Sequence, residues 1–399
     1  MKAEKIPFSE LLSNVVDNRG KTCPTADTGI PLIATNCIRN ELLYPTYEKA
    51  RFVSQKIFDS WFRGHPKPGD IIFVNKATPG RVCLVPDPVD FCIAQDMVAI
   101  RANEKKVYPR FLLALLRSPA VQARVGQMHV GSLIPHFKKG DFDKLLLPIP
   151  EREAQEFIGD TYFDLSAKID LNRRINETLE ALAQTIFKNL LVDAAATRLP
   201  KSWRAGTLGE VTENPRRGIQ PDEIKSLTPY IGLEHMPRRC IALSEWGHAD
   251  ELESNKFEFH QGEVLFGKLR PYFHKVGVAP VDGVCSTDIL VVRPRAPEWF
   301  GFVLGHVSSV ELVNHTNAAS TGTKMPRANW NDIARFEVAL PPDSLAAEYT
   351  ATIRPMIDRI IANIHESRTL AELRDALLPK LLSGELRMPY SQKEIKNNG

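Results

Sequence analysis

The sequence lacks the features that would place the protein in a membrane, a secreted or a zinc-binding class. Its longest uninterrupted apolar run is FLLALL from Phe111, whereas a membrane-spanning helix needs about 20 such residues. The six cysteines include no CxxC pair, which favours reduced thiols over a disulfide framework or a zinc site. The opening stretch MKAEKIPFSELL carries charges where a signal peptide needs an apolar core. These absences predict a cytoplasmic protein that has no membrane segment.

Motifs of catalysis and cofactor binding are also missing. The chain has no GxxxxGK[ST] phosphate loop, no Asn-Pro-Pro-Tyr or Asp-Pro-Pro-Tyr methyltransferase motif, no FxGxG cofactor loop and no HExxH or HxxxH pair. Asp141 and Asp143 beside Lys144 are faintly nuclease-like, but acidic residues in such a loop are usually solvated. We therefore predict no catalytic residue, no metal and no cofactor.

An internal repeat is the strongest positive signal. A shift of 191 positions places Leu179 on Leu370 and Asn172 on Asn363, so that LEALAQTIFKNLLVD falls on LAELRDALLPKLLSG and overlaps the stretch LRDALLPKLLSGEL. Upstream, KPGDIIFVNK matches HQGEVLFGK, CIAQDMVAIR matches VCSTDILVVR, and HVGSLIPHF matches STGTKMPRA. The order of these matches favours duplication over a chance similarity of short units.

Each half of the repeat consists of a globular segment followed by one long helix. Short β-rich runs such as DIIFV, MVAI and DILVV alternate with Gly and Pro signals, and FLLALLRSPAVQARV and WFGFVLGHVSSVELV predict short helices. The long helices are predicted to start after Pro150 and Pro342, where acidic first turns suit a helix N-terminus. Pro379 is predicted to kink or end the second of them before Ser383 and Gly384.

Heptad spacing on both long helices predicts that they pair as an antiparallel coiled coil. Asn172 and Asn363 interrupt this seam at equivalent places, either as buried residues that fix the register or in an exposed stretch. The predicted seam residues are Ile158, Leu165, Ile169, Asn172, Leu179, Ile186, Leu190, Ile353, Ile360, Asn363, Leu370, Leu377 and Leu381.

The predicted fold class is α/β, or mixed α+β, with an internal pseudo-two-fold repeat. Two similar globular domains, 1–150 and 198–341, are separated by spacer helices at 151–197 and 342–387, and a tail follows at 388–399. The first globular segment holds 21 Lys and Arg against 14 Asp and Glu, a net charge of +7 that is compatible with nucleic acid. Residues 200–340 have a net charge of −1, from 16 basic and 17 acidic side chains. A DNA-binding face in the second half would therefore have to be local.

The motifs LRDALLPKLLSGEL and GEVLFGKLRPYFHKV, with LPIPE and LPP leading into the helices, resemble the specificity subunit of type I restriction–modification systems. The resemblance covers essentially the whole chain. It implies two target recognition domains that each read one half of a bipartite, asymmetric double-stranded DNA target. It further implies that the helices dock two methyltransferase (modification) subunits, that restriction subunits join the assembly, and that this subunit performs no chemistry. Alternatives are a standalone methyltransferase or nuclease, a scaffold without DNA binding, and a specificity subunit of a methyltransferase-only system.

Candidate DNA contacts are polar and basic residues in loops, because such side chains reach base edges and phosphates. In the first domain they are Asn75, Lys76, Thr78, Arg81, His129, Ser132, His136, Lys138 and Lys139. In the second domain they are Arg216, Arg217, Lys268, Arg270, Tyr272, His274, Lys275, Thr321, Thr323, Lys324 and Arg327, with Arg238 and Arg239 as a further loop pair. The alternative for single Lys and Arg residues is that they only make the surface more soluble. The alternative for Tyr272 is that its ring lies in the core. Asp96 and Asp288, which the repeat aligns, are expected to hold turns or to pair with basic neighbours.

Overall fold

A computed structural model of the chain describes residues 3–18, 22–47, 50–128, 135–196, 199–250, 253–320 and 325–386. The described residues form two compact units. Unit one contains those up to Asp170 and from Thr369 onward, and unit two contains those from Leu171 to Arg368. Each unit therefore takes one globular segment and a part of each long helix. The predicted domain boundaries, which place each helix outside the globular segments, stay predictions.

Unit one has three sheets. Its strands are β1 (Glu4–Pro7), β2 (Leu12–Asp17), β3 (Ile30–Ile33), β4 (Arg51–Val53), β5 (Ile71–Val74), β6 (Val82–Leu84), β7 (Cys92–Ile93), β8 (Met97–Ala102) and β9 (Leu146–Ile149). The strands pair in the orders β2-β8-β5-β6, β4-β3-β7 and β1-β9. All of these pairs are antiparallel except the parallel pair of β3 and β7. The helices are α1 (Gln55–Ser60), α2 (Pro109–Arg117), α3 (Pro119–Met128) and the start of α4 (Arg152–Phe187).

Unit two repeats this plan. Its strands are β10 (Arg204–Thr207), β11 (Thr212–Glu213), β12 (Gly218–Ile219), β13 (Pro229–Ile231), β14 (Gly247–His248), β15 (Lys256–Phe259), β16 (Val264–Gly267), β17 (Val276–Val278), β18 (Gly283–Cys285), β19 (Ile289–Pro294) and β20 (Glu337–Leu340). They pair as β11-β19-β16-β17, β12-β15-β18-β13-β14 and β10-β20. The helices are α5 (Asp193–Ala196), α6 (Phe300–Val307), α7 (Val310–Ala319), α8 (Trp330–Ala334) and α9 (Asp343–Ser383), which continues into unit one.

The two four-stranded sheets have the same strand order, so the duplication seen in the sequence is also present in the fold. β5 and β16 occupy the same position, and their IIFV and VLFG residues are all buried. Continuous apolar runs of this length suit strands that are covered on both faces. The prediction of two similar globular α/β segments is confirmed.

Both long helices begin where the sequence indicates, but Pro379 does not end the second one. α9 continues through Pro379 to Ser383. It ends at Gly384, whose φ of 78° is a left-handed conformation that glycine adopts without a steric penalty. After α4, a π-helical turn from Lys188 to Val192 leads into α5.

Within each unit the two long helices pack antiparallel, as predicted. In unit two, Asn172 Nδ2 donates to Glu366 Oε2 at 2.8 Å, and Asn363 Nδ2 donates to Asn176 Oδ1 at 2.8 Å. Residues later in α4 thus contact residues earlier in α9, as antiparallel packing requires. Tyr349 continues the series, because its hydroxyl donates to the Ala183 carbonyl oxygen at 3.1 Å.

The predicted seam residues are all buried or half-buried. The two asparagines are among the most buried, since Asn172 is 0% and Asn363 is 1% exposed. They therefore do not lie in an exposed stretch. Because a buried amide costs stability unless it is hydrogen-bonded, this polar layer favours one register of the helix pair over its slipped alternatives.

Candidate nucleic-acid interface

Three backbone hydrogen bonds tie the end of β5 to two other segments of unit one. The Asn75 N–H donates to the Asp96 carbonyl at 3.0 Å, and the Phe137 N–H donates to the Asn75 carbonyl at 2.8 Å. The Ala77 N–H completes the set by donating to the Pro135 carbonyl at 3.0 Å. The turn after β5, the start of β8 and the segment after residue 134 therefore meet at one place, which we call the first junction.

Unit two has the same arrangement at the end of β16, which we call the second junction. The Lys268 N–H donates to the Asp288 carbonyl at 2.9 Å, and the Ala328 N–H donates to the Lys268 carbonyl at 2.9 Å. The Arg270 N–H donates to the Pro326 carbonyl at 2.8 Å. Each junction brings together the candidate loops that the sequence places far apart, and this convergence holds in both copies.

A left-handed residue stands at the same position in each junction. Ala77 has a φ of 69° and Arg270 a φ of 51°. Non-glycine residues rarely adopt this conformation, and they persist in it only where the surrounding structure fixes them. The equivalence corrects the sequence alignment by one residue, since Lys268 matches Asn75 rather than Lys76, and Lys76 matches Leu269. From this position to the paired aspartate the second copy is one residue shorter, and an alignment on the shared lysines had hidden the difference.

Each junction has one carboxylate, on the equivalent residues Asp96 and Asp288. Lys76 Nζ lies 3.9 Å from Asp96 Oδ1, and Arg327 Nη2 lies 3.5 Å from Asp288 Oδ1. All four side chains keep contact with solvent, and the Arg327 side chain is 58% exposed. Ion pairs of this kind contribute little stability. The Lys76 and Arg327 side chains can therefore exchange these carboxylates for an anionic ligand at small cost.

Four candidates hold the loops in place through hydrogen bonds or an ion pair. Asn75 is 1% exposed and donates from Nδ2 to the Phe137 carbonyl at 3.0 Å. His274 is 7% exposed and contacts the Ser308 carbonyl through Nε2 at 2.8 Å; burial lowers the pKa of its ring, which is therefore neutral at neutral pH. Lys275 Nζ donates to the Leu233 carbonyl, and burial lowers its pKa. Arg217 forms an ion pair with the buried Glu263.

The remaining described candidates reach the surface. Tyr272 is 49% exposed, so it is not a core aromatic. Fully exposed or half-buried side chains belong to Lys76, Thr78, Arg81, His136, Lys138, Lys139, Arg216, Lys268, Arg270 and Arg327. His129, Ser132, Thr321, Thr323 and Lys324 lie outside the described residues.

The sequence did not reveal how the second junction is supported. The Arg238 guanidinium lies over the Phe273 ring at 3.9 Å, and the Arg239 N–H donates to the His274 carbonyl at 2.8 Å. A Pro-Tyr-Phe run next to basic residues is the one signal of this packing that the sequence carries. Such a run does not show which loop will supply the cation.

Neither a metal centre nor a membrane span is found in the part of the chain that the structure describes. There, no group of three His, Cys, Asp or Glu side chains could hold a metal ion, and no helix is long and apolar enough to cross a membrane. Asp141 forms an ion pair with Lys144 at 2.8 Å, and Asp143 accepts a hydrogen bond from Ser9. These two carboxylates therefore have structural partners. All six cysteines are free thiols, and five of them are buried.

Comparison with known proteins gives one consistent result. A family model described as the type I restriction modification DNA specificity domain matches residues 18–181. The specificity subunit of the type I restriction enzyme MjaIX from Methanocaldococcus jannaschii is 24% identical over 388 residues, covering 90% of this chain and 87% of that protein. The HindI specificity subunit from Haemophilus influenzae is 24% identical, covering 80% of this chain and 87% of its own.

A solved structure, the type I restriction–modification S subunit from M. genitalium, shares the fold with a TM-score of 0.52. It covers 98% of this chain and 96% of its own, at 13% sequence identity. The fold and the junctions define a protein with two copies of one globular domain, each packed with parts of the two long helices. The family-model match and these relatives, which are similar over most of the chain, support its identification as a specificity subunit of a type I restriction–modification system.

Proposed function

We propose that the chain reads a bipartite, asymmetric sequence in double-stranded DNA, with one half-site contacted by each junction. The observation that supports this most directly is the repeated junction, which presents Lys76 and Arg81 in unit one and Arg270 and Arg327 in unit two. Local presentation of cations also explains how a segment with a net charge of −1 could still bind DNA. Because the side chains at the two junctions differ, the two half-sites should differ in sequence.

The long helices would dock the modification subunits. Leu182 on α4 and Leu373 on α9 are equivalent in the repeat, and they are 45% and 46% exposed. A large apolar side chain that is exposed at the same position in both copies fits two equivalent contacts with a partner protein. This supports a complex with two methyltransferase subunits, to which restriction subunits would bind. DNA and these partners would place the chain in the cytoplasm.

A selection experiment tests the DNA-binding proposal. The chain would be coexpressed with its modification partner, and duplexes bound from a random library would be sequenced. We expect two short motifs separated by a constant gap, and affinity that falls steeply with salt concentration. A single contiguous motif, or no enrichment, would contradict the proposal.

Docking is tested separately with Leu182→Glu and Leu373→Glu. Each substitution should reduce the modification subunits bound per chain from two to one, as measured by the mass of the complex. Leu227→Glu, at a 74% exposed leucine in the loop before β13, is the control. Loss of both subunits with either variant would exclude two independent docking positions.

The enzymatic alternative is disfavoured, because the relatives are themselves specificity subunits. We propose that this chain performs no chemistry and uses no cofactor. Methyl transfer or DNA cleavage by the purified chain alone would contradict that. A methyltransferase-only system would be recognised by a complex that methylates its target but binds no restriction subunit.

A further inference from the structure

The turn between β16 and β17 presents one exposed aromatic ring that the first junction does not have. Tyr272 is 49% exposed, and it packs edge-on against Phe273 with 4.7 Å between ring centroids and 67° between ring planes. In the first junction the corresponding turn reads Ala77-Thr78-Pro79-Gly80. Its end is held down on α3, because Gln122 Nε2 donates to the Gly80 carbonyl at 2.8 Å. The two junctions therefore differ in shape as well as in sequence.

The backbone around Tyr272 is fixed on both sides. Arg270 and His274 both have a φ of 51°, and Pro271 restricts φ between them. The Arg270 N–H is held by Pro326, and the His274 ring is held by the Ser308 carbonyl between α6 and α7. Two left-handed residues that flank an exposed aromatic are costly to maintain, and such backbone strain clusters at functional sites. A side chain on this turn is positioned before any ligand arrives.

The ring of Tyr272 is supported from behind by a cation–aromatic stack. The Arg238 guanidinium lies 3.9 Å from the Phe273 centroid, and the Arg270 guanidinium lies 6.0 Å from it. Contacts of this kind are attractive and hold the Phe273 ring against lateral displacement. Tyr272 therefore packs against an aromatic ring that is itself held in place, and we call the Tyr272–Phe273 pair the platform.

The charges near this platform favour a polyanion. Arg238, Arg239 and Arg270 form no ion pair with any carboxylate among the residues that the structure describes. Two carboxylates lie nearby. Asp288 forms an ion pair with Arg327, and the charge of Glu234, whose side chain is 65% exposed, favours the protonated form of Lys275. The Arg238 and Arg270 guanidinium groups beside the Phe273 ring, with Arg239 next in the chain, suit phosphates that flank a base, whereas an apolar protein surface would leave these cations unpaired.

We propose that Tyr272 wedges its ring into a base step of the second half-site and partly unstacks it, while Arg238, Arg239 and Arg270 hold the adjacent phosphates. This rests on the proposed function. The second half-site would then be read partly through DNA deformability, which favours a flexible pyrimidine–purine step at the contact. The first half-site, which faces Ala77 and Gly80, would be read without such a wedge.

The test uses the full chain in complex with its modification partner and a target duplex that carries 2-aminopurine at one position at a time. This probe brightens when its stacking is lost. We expect one position in the second half-site, distinct from the base that the modification subunits methylate, to brighten with the wild-type complex. Tyr272→Ala should abolish that signal and weaken binding roughly 5- to 150-fold, the range for loss of one stacked base. Tyr272→Phe and Tyr272→Trp should retain the signal, and Leu227→Ala should not change it.

The possible outcomes separate the two proposals. If the wild-type complex does not bind a two-part target, the proposed function fails. If it binds such a target but no position apart from the methylated base brightens, or if Tyr272→Ala leaves the signal intact, the inference about Tyr272 is overturned. Weaker assembly of the Tyr272→Ala complex without DNA would assign the ring to a protein contact and would also overturn it. Because Tyr272→Leu keeps bulk without aromaticity, a loss of the signal in a correctly assembled Leu complex would support the role of the ring.

Discussion

The buried amide pair between α4 and α9 offers a quantitative test of what holds the helices in register. Asn363 Nδ2 donates to Asn176 Oδ1 at 2.8 Å, and the two side chains are 1% and 8% exposed. Asn363 Oδ1 has no hydrogen-bond partner among the described residues, so the pair is only partly satisfied. The perturbation is to replace each asparagine by leucine, first singly and then together.

The expected magnitudes follow from desolvation. Either single substitution leaves one buried amide without its partner, which costs about 1–3 kcal/mol. Replacing both removes the unpaired groups as well as the hydrogen bond, and apolar pairs of similar shape are often neutral or stabilising. The double variant should therefore be at least as stable as the wild type, so the coupling free energy equals the sum of the two single losses, about 2–6 kcal/mol.

Tryptophan fluorescence during thermal unfolding measures this coupling in unit two, which contains both asparagines. Four of the five tryptophans, Trp203, Trp246, Trp299 and Trp330, lie in unit two with the asparagine pair. For a unit of this size about 1 kcal/mol shifts the midpoint by roughly 2–4 °C, so each single variant should unfold several degrees early. Asn317→Leu, at an exposed position of α7, is the control and should change little. If the double variant loses the sum of the two single losses, the pair does not act as a unit and this account of the register is wrong.

Three further predictions concern pH, spacing and specificity. Burial raises the pKa of Glu180 from its ordinary 4.5 to about 7, so the free energy of unfolding should fall by up to about 3 kcal/mol as pH rises through that window. Glu180→Gln should flatten this pH dependence in unfolding curves taken at pH 4 to 8. An unchanged slope in the variant would contradict the role of Glu180. Four residues inserted after Asp170 and four after Arg368, where the chain passes between units, add about 6 Å of helix to each. The gap between half-sites should then grow by one or two base pairs in methylome sequencing, and an unchanged gap would mean that the helices do not set it. Arg327→Ala should weaken discrimination roughly 5- to 150-fold in one half-site of selected duplexes, and equal losses in both would contradict two independent readers.

The sequence predicted those parts of the fold that depend on local patterns. Hydrophobic periodicity and Pro and Gly signals predict the repeat, the strands of the two four-stranded sheets and the long helices. These signals are local, so they can be recognised without knowledge of tertiary contacts. Pro379 did not end the helix, one of the two effects predicted for it, because a proline within the last turns of a long packed helix removes one hydrogen bond without removing the packing of Leu378 and Leu381.

The candidate interface was harder to predict, because residue type does not show burial. Asn75 and Tyr272 were equally plausible contacts in the sequence, yet one is 1% and the other 49% exposed. The difference arises from the segments that meet at each junction, which are about 60 residues apart in the chain. A one-residue difference in the turn after β5 and β16 likewise changes which side chain occupies which place, and only backbone hydrogen bonds reveal the match.

The core of the first globular segment includes the far end of the chain. Leu378 and Leu381 of α9 are buried together with Phe111 and Ile158. Proteins are synthesised from the N-terminus at about 5–20 residues per second, so roughly 10 to 50 seconds separate residue 150 from residue 378 on the ribosome. Unit two is finished earlier, because all its residues precede Thr369. The half of the molecule that is translated first is therefore the last to acquire its complete core, and during that interval it presents apolar surface to chaperones.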